Sequence, residues 1–131
     1  MNKTKLKVKG ILFDLDGTIV DSRDAYLEAA RTAFQAMGRE PPTTQTAFEI
    51  PRRLEQNRRI DDLTHADTQG FLEVYLKTFY AITEMKTKPV PNIHTALEKL
   101  QQKAKLALIT MRNVPRTAIT KQLEHFGLAN Y

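Results

Sequence analysis

Two short apolar runs constrain this chain more than anything else in it. Ile11, Leu12, Phe13 and Leu15 follow one another between Gly10 and Gly17, and "KLALITM", residues 105–111, has the same character. Short runs that are apolar without alternation suit strands buried on both faces of a parallel sheet. Patterns of helical period lie between them, so the chain is expected to be an α/β protein with a Rossmann-like parallel core. At 131 residues, 41% of them hydrophobic, it has about the length and the apolar content of one domain with its own core.

The segment between the strands reads as helical. Tyr26, Ala29, Ala30, Ala33, Phe34 and Met37 recur on one helical face, with Asp21 or Ser22 as the cap and Gly38 just past the end. "PPTT" breaks the chain, and the arginine-rich stretch from Phe48 to Gly70 is expected to be helical in part. Leu72, Tyr75, Leu76 and Phe79 then repeat at three and four residues, predicting a long helix that ends before "KTKPVPN". Pro89 and Pro91 read as a return linker. "NIHTALEKLQQK" supplies an amphipathic helix into the second strand, and "VPRTAITKQLEHFG" a last helix with Pro115 in its first turn and Gly127 at its end. The division is therefore residues 1–20 and 89–131 as an α/β core, and 21–88 as a helical insertion.

Charge and composition narrow the function. The net charge of +5 comes from scattered lysines and from Arg52, Arg53, Arg58 and Arg59. These are mixed with acidic residues and lack interleaved aromatics, which argues against a nucleic-acid surface and suits a small phosphorylated partner. With no cysteine there is neither a disulfide framework nor a thiolate metal site. No apolar stretch reaches the roughly 20 residues of a membrane span, and the basic start lacks a cleavage-site pattern, so a cytoplasmic protein is expected.

The first strand ends on two carboxylates, Asp14 and Asp16, one residue apart. Side chains two apart on a strand share a face, so these like charges converge where open parallel sheets bind ligands. A divalent cation would relieve their repulsion, and hard oxygen donors suit Mg²⁺. Gly17 would let the backbone turn sharply and approach a ligand closely. Taken alone, an Asp-x-Asp pair at a strand end is more often a turn and helix cap than a metal site. Asp21 reads as a helix cap, and His65, His94 and His125 have no metal-ligand spacing.

The string "FDLDGTIVDS" resembles the first signature of the haloacid dehalogenase superfamily, in particular its phosphoglycolate-phosphatase-like branch. The resemblance implies that Asp14 attacks phosphorus to give an aspartyl phosphate, and that Asp16 protonates the leaving oxygen and then activates water. It places Mg²⁺ on Asp14 and on Asp16, through the backbone carbonyl of the latter. An aspartate at position 16 favours phosphoryl transfer over carbon–halogen cleavage in that family. "LALITMR" resembles the second signature, which assigns Thr110 to the phosphoryl oxygens; Met111 stands where relatives often carry Asn, and Arg112 is a candidate contact to an anionic substrate. The insertion would be the family's helical cap, with the four arginines either substrate contacts or a solvated face.

The family's third and fourth signatures, a lysine and a further acidic pair, do not follow "FGLANY". Two expectations follow. The chain is an N-terminal portion of a Mg²⁺-dependent phosphohydrolase acting on a small phosphomonoester and of low activity by itself, or it is a non-catalytic phosphate- or partner-binding module completed by another chain. Either way the open sheet edge invites self-association.

Overall fold

The computed structural model describes residues 5, 7–65 and 67–131. Its elements in chain order are β1 (Gly10–Asp14), β2 (Val20–Asp21), α1 (Arg23–Ala36), α2 (Thr44–Glu55), α3 (Asp61–Thr64), α4 (Thr68–Lys86), β3 (Lys88–Pro89), α5 (Ile93–Gln101), β4 (Lys105–Ile109) and α6 (Arg116–His125). They divide into two compact units: the described residues up to Asp21 together with Lys88–Tyr131, and Ser22–Thr87. None of the described helices is long and apolar enough to cross a membrane.

In the first unit β1 and β4 pair in parallel, in the register Gly10↔Lys105 to Asp14↔Ile109, so the two apolar runs lie side by side and end at the same edge. Ile11 and Phe13 of β1, with Leu106 and Leu108 of β4, are half-buried, whereas their neighbours along each strand are exposed. Phe13, Leu106 and Leu108 pack against a core built on Leu15, Ile19, Val20, Ile93, Leu97 and Leu128. Burial of both strand faces, expected from the continuous apolar runs, is not found. Leu12 is 69% exposed and Ile109 59%. A two-stranded sheet has one face on its helices, and no described element of this unit covers the other.

Three local features depart from the sequence reading. Pro89 is not in a free linker, because Lys88–Pro89 pairs antiparallel with Val20–Asp21 as a minimal ribbon. Asp21 lies in that ribbon and so is not the helix cap. Ser22 occupies the N-cap position of α1, yet its side chain makes no capping hydrogen bond there. Strand pairing fixes the chain at this point, where a cap had been expected to do so.

The second unit is helical. Alanines 25, 29, 30 and 33 of α1 are fully buried and give that helix a flat face, onto which the aromatic residues of this unit pack. Tyr26 and Phe79 stack with ring centroids 4.9 Å apart, and Phe34 meets Phe71 edge-on at 5.2 Å. Burying a ring such as Phe71 contributes about 2–3 kcal/mol. Helix α2 starts at Thr44, earlier than its composition suggests, because the Thr43 side chain accepts from the Thr46 N–H at 3.2 Å. It continues through Pro51. The short helix α3 within the arginine-rich stretch has no sequence signature of its own.

Candidate functional site

The site is built on the end of β1. After Asp14 the chain folds back at once: the Leu15 carbonyl accepts from the Ile19 and Val20 N–H groups, both at 3.0 Å, and the Gly17 N–H donates to the Val20 carbonyl at 2.7 Å. Leu15 is fully buried and anchors the turn in the core. Gly17 has φ +83°, a left-handed conformation. A Cβ there would meet nothing within 4 Å, so backbone conformation rather than space is what calls for glycine.

The two carboxylates meet different surroundings. Asp14 is exposed, and its Oδ1 accepts from the Leu15 N–H at 2.9 Å. Asp16 is held by the Arg112 guanidinium through both oxygens, Nε to Oδ2 at 2.8 Å and Nη2 to Oδ1 at 2.6 Å. The side chains are 4% exposed for Arg112 and 11% for Asp16, so this charge-assisted fork is largely removed from water. The Arg112 Nη1 donates to Gln122 Oε1 on α6.

Strand β4 brings the second segment to the same edge. Its last residue, Ile109, pairs with Asp14, so Thr110 follows directly beyond the end of β1. Thr110 Oγ1 accepts from the Arg112 backbone N–H at 3.2 Å. A hydroxyl that accepts there still has its own proton to donate.

Asp14, Asp16, Gly17, Thr110 and Arg112 therefore all lie at the C-terminal end of the parallel pair. Arg112 does not stand ready for a substrate anion, as the sequence suggested; its guanidinium is engaged by Asp16 and Gln122. Gln122 was not singled out from the sequence. The signal that could have found it is a polar residue at a core position, because Ile119 and Gln122 share one face of α6, which the C-cap residue Phe126 continues, and Gln122 is buried.

The donors suit a hard divalent cation in type. Asp14 presents an exposed carboxylate, while the Asp16 carboxylate is taken by Arg112, which leaves the backbone carbonyl of Asp16 as that residue's donor. Among the described residues no three His, Asp or Glu side chains gather into a metal-ligand group. The octahedral shell of Mg²⁺ would need water or other donors beyond these two residues. His94 packs edge-on against Tyr131 and His125 beside Phe126.

Arginines of the second unit have partners within it. Arg53 donates to Asp62 at 2.6 Å and to Glu49 at 3.2 Å, Arg59 pairs with Asp61 at 2.8 Å, Arg52 lies 3.8 Å from Glu49, and Arg58 donates to Gln56. The hydrogen bond from Arg53 holds the Asp62 carboxyl below its ordinary value, and the Asp62 and Glu49 hydrogen bonds raise the Arg53 guanidinium in turn. Arg59, 90% exposed, fits the solvated-face reading.

A parallel β–helix–β core with one carboxylate ending its first strand and a second on the turn after it, and with a helical unit inserted in sequence between the paired strands, is part of a Rossmann-like α/β fold with its candidate site at the carboxyl ends of the strands. The family model described as haloacid dehalogenase-like hydrolase matches residues 11–131, and the chain belongs to that family. It is 29% identical to the phosphoglycolate phosphatase of Vibrio parahaemolyticus over 143 aligned residues, covering 98% of this chain and 60% of that protein. The phosphoglycolate phosphatase of Vibrio cholerae is also 29% identical, covering 95% and 59%. Among solved structures, a haloacid dehalogenase-like family protein of Streptococcus pneumoniae superposes with TM-score 0.73 at 20% identity, over 95% of this chain and 58% of that one. A predicted phosphoglycolate phosphatase of Haemophilus somnus gives TM-score 0.59 at 20% identity, over 98% and 61%. The chain thus spans about 60% of the length of the curated relatives it matches and carries part of their fold.

Proposed function

We propose that this chain carries the nucleophile-bearing part of a Mg²⁺-dependent phosphohydrolase that cleaves a small phosphomonoester through an aspartyl phosphate on Asp14. The observation that supports it is the unequal treatment of the two carboxylates: Asp14 open at the strand end beside Thr110, Asp16 fixed two residues further on.

An Asp14 oxygen attacks phosphorus as the bond to the ester oxygen breaks, and Asp16, acting in its protonated form with one oxygen released from the Arg112 fork, gives that oxygen its proton, releasing the alcohol. Asp16 then takes a proton from water, which attacks the aspartyl phosphate and releases inorganic phosphate and the free Asp14 carboxylate. The hydrogen bond from Leu15 N–H to Asp14 Oδ1 orients the nucleophile. The Thr110 hydroxyl, steered by the Arg112 amide, donates to a phosphoryl oxygen. Bound Mg²⁺ would supply positive charge against the phosphoryl oxygens, held by the Asp14 carboxylate and the Asp16 carbonyl. The helical unit, Ser22–Thr87, takes the role of the cap that selects the substrate.

Phosphoglycolate, named for the Vibrio relatives, is the first substrate to test, within a panel of small phosphomonoesters assayed with Mg²⁺ and compared with Asp14→Asn. Turnover abolished by the substitution is expected; turnover that survives it would refute the nucleophile assignment. The uncovered face of β1 and β4 favours a second reading, a phosphate- or partner-binding module completed by another chain or by self-association, which predicts a sedimenting mass above 15.0 kDa.

A further inference from the structure

The link from Asp16 through Arg112 to Gln122 joins the turn after β1 to α6. Arg112 lies beyond the end of β4, where an exposed side chain would meet no constraint. Instead it is 4% exposed, forks onto both Asp16 oxygens and donates its third nitrogen to Gln122, itself 6% exposed. Taking a guanidinium and a carboxylate out of water is costly and by itself adds little stability. What the arrangement does provide is orientation, because a planar fork with its far nitrogen anchored allows one placement of the carboxylate plane.

We propose that Arg112 is a positioning residue for Asp16 and that Gln122 positions Arg112, so that α6 sets the orientation of the carboxylate next to the nucleophile. This rests on the phosphohydrolase reading for its functional meaning, whereas the relay itself is read without catalysis. The Asp16 carboxylate is fixed by a side chain 96 residues away in sequence. Its backbone is fixed separately, by the hydrogen-bonded turn around Gly17. Removing the Gln122 anchor takes one hydrogen bond from the Arg112 head group and leaves the turn's own backbone hydrogen bonds in place.

The test uses the full chain and the Nε–H proton of Arg112, observed by NMR with inorganic phosphate as the only added anion. In the wild type that proton exchanges with water about a hundredfold more slowly than the Nε–H of the exposed Arg59, and Gln122→Met, which keeps the side-chain volume, loses about tenfold of that protection. Arg112→Lys, which keeps the charge and loses the fork, is expected to leave the turn's backbone amides protected and the Asp16 carboxyl carbon shifted. Wild-type exchange as fast as that of Arg59, or protection unchanged in Gln122→Met, overturns the relay; the wild-type measurement decides the matter even where Gln122→Met fails to fold. The phosphohydrolase reading fails separately, if wild-type chain and Asp14→Asn turn over the phosphoester panel equally. With wild-type turnover in hand, Gln122→Met should lower kcat about tenfold with KM little changed, and an unchanged kcat overturns positioning.

Discussion

Arg112→Met tests the centre of the site through stability. The substitution keeps the aliphatic stem and removes the guanidinium, taking the fork from the 11%-exposed Asp16 carboxylate and one hydrogen bond from the buried Gln122 oxygen. Breaking one side of a buried pair costs about 3–5 kcal/mol, and the residual exposure of Asp16 puts this pair at the lower end, about 3 kcal/mol. The hydrogen bond lost at the Gln122 oxygen adds about 1 kcal/mol. A loss of about 4 kcal/mol is a large part of the 5–15 kcal/mol that holds an ordinary domain together, so the urea midpoint should fall steeply. The double variant Asp16→Asn/Arg112→Met removes both charges and should recover about 2 kcal/mol relative to Arg112→Met, a coupling that urea unfolding followed by circular dichroism resolves. An Arg112→Met chain within about 0.5 kcal/mol of wild type, or strict additivity in the double variant, would refute the buried fork.

Other outcomes follow from single positions. Gly17→Ala should cost about 1–2 kcal/mol from its φ of +83°, and Gly17→Asn less, since no atom obstructs a Cβ; equal costs for the two would point to a steric cause. Leu12→Gln on the uncovered strand face should change the unfolding free energy from urea titration by less than about 0.5 kcal/mol, against about 3 kcal/mol for Leu15→Ala in the buried turn just after that strand. In the helical unit, the Asp62 carboxyl lies below its ordinary value of 3.8 because of the Arg53 hydrogen bond. Its contribution to stability is therefore full above that value and lost as pH falls through the lower folded-state value, and Asp62→Asn should flatten the acid limb of a urea-midpoint titration over about pH 2 to 5.

What the sequence makes legible is what depends on near neighbours. The string around Asp14 to Gly17 encodes a turn closed by backbone hydrogen bonds between residues 15 and 20, so residue order carries its shape. The alanine and aromatic spacing in α1 and α4 likewise reports faces that pack within one helical unit. Long-range partners leave no such trace. Nothing near Asp16 announces Arg112, and Arg112 looks from the sequence like a cation free to meet a substrate. The ribbon of Val20–Asp21 with Lys88–Pro89 is two residues a side, too short to show periodicity, and a proline beside it reads as linker. The apolar run of β1 reads the same whether or not its second face is covered, because hydrophobicity records what a strand can bury rather than what lies against it.

The fork also changes what the pair of acids asks of a cation. Two carboxylates one residue apart at a strand end repel, and a metal gripping both would be the simple remedy. Here Arg112 compensates Asp16 internally, at 2.6 and 2.8 Å, and leaves the charge of Asp14 as the one facing the opening of the site. A cation arriving at this edge therefore meets the Asp14 carboxylate and backbone oxygens rather than a two-carboxylate clamp, and its affinity should depend strongly on Asp14 and weakly on the Asp16 side chain. Mg²⁺ titrations by calorimetry check the distinction directly: Asp14→Asn is expected to abolish measurable binding, while Asp16→Asn changes it by less than about threefold. Equal losses in the two variants would mean that the Asp16 carboxylate leaves Arg112 for the metal, and that the fork is not its resting place when the ion is bound.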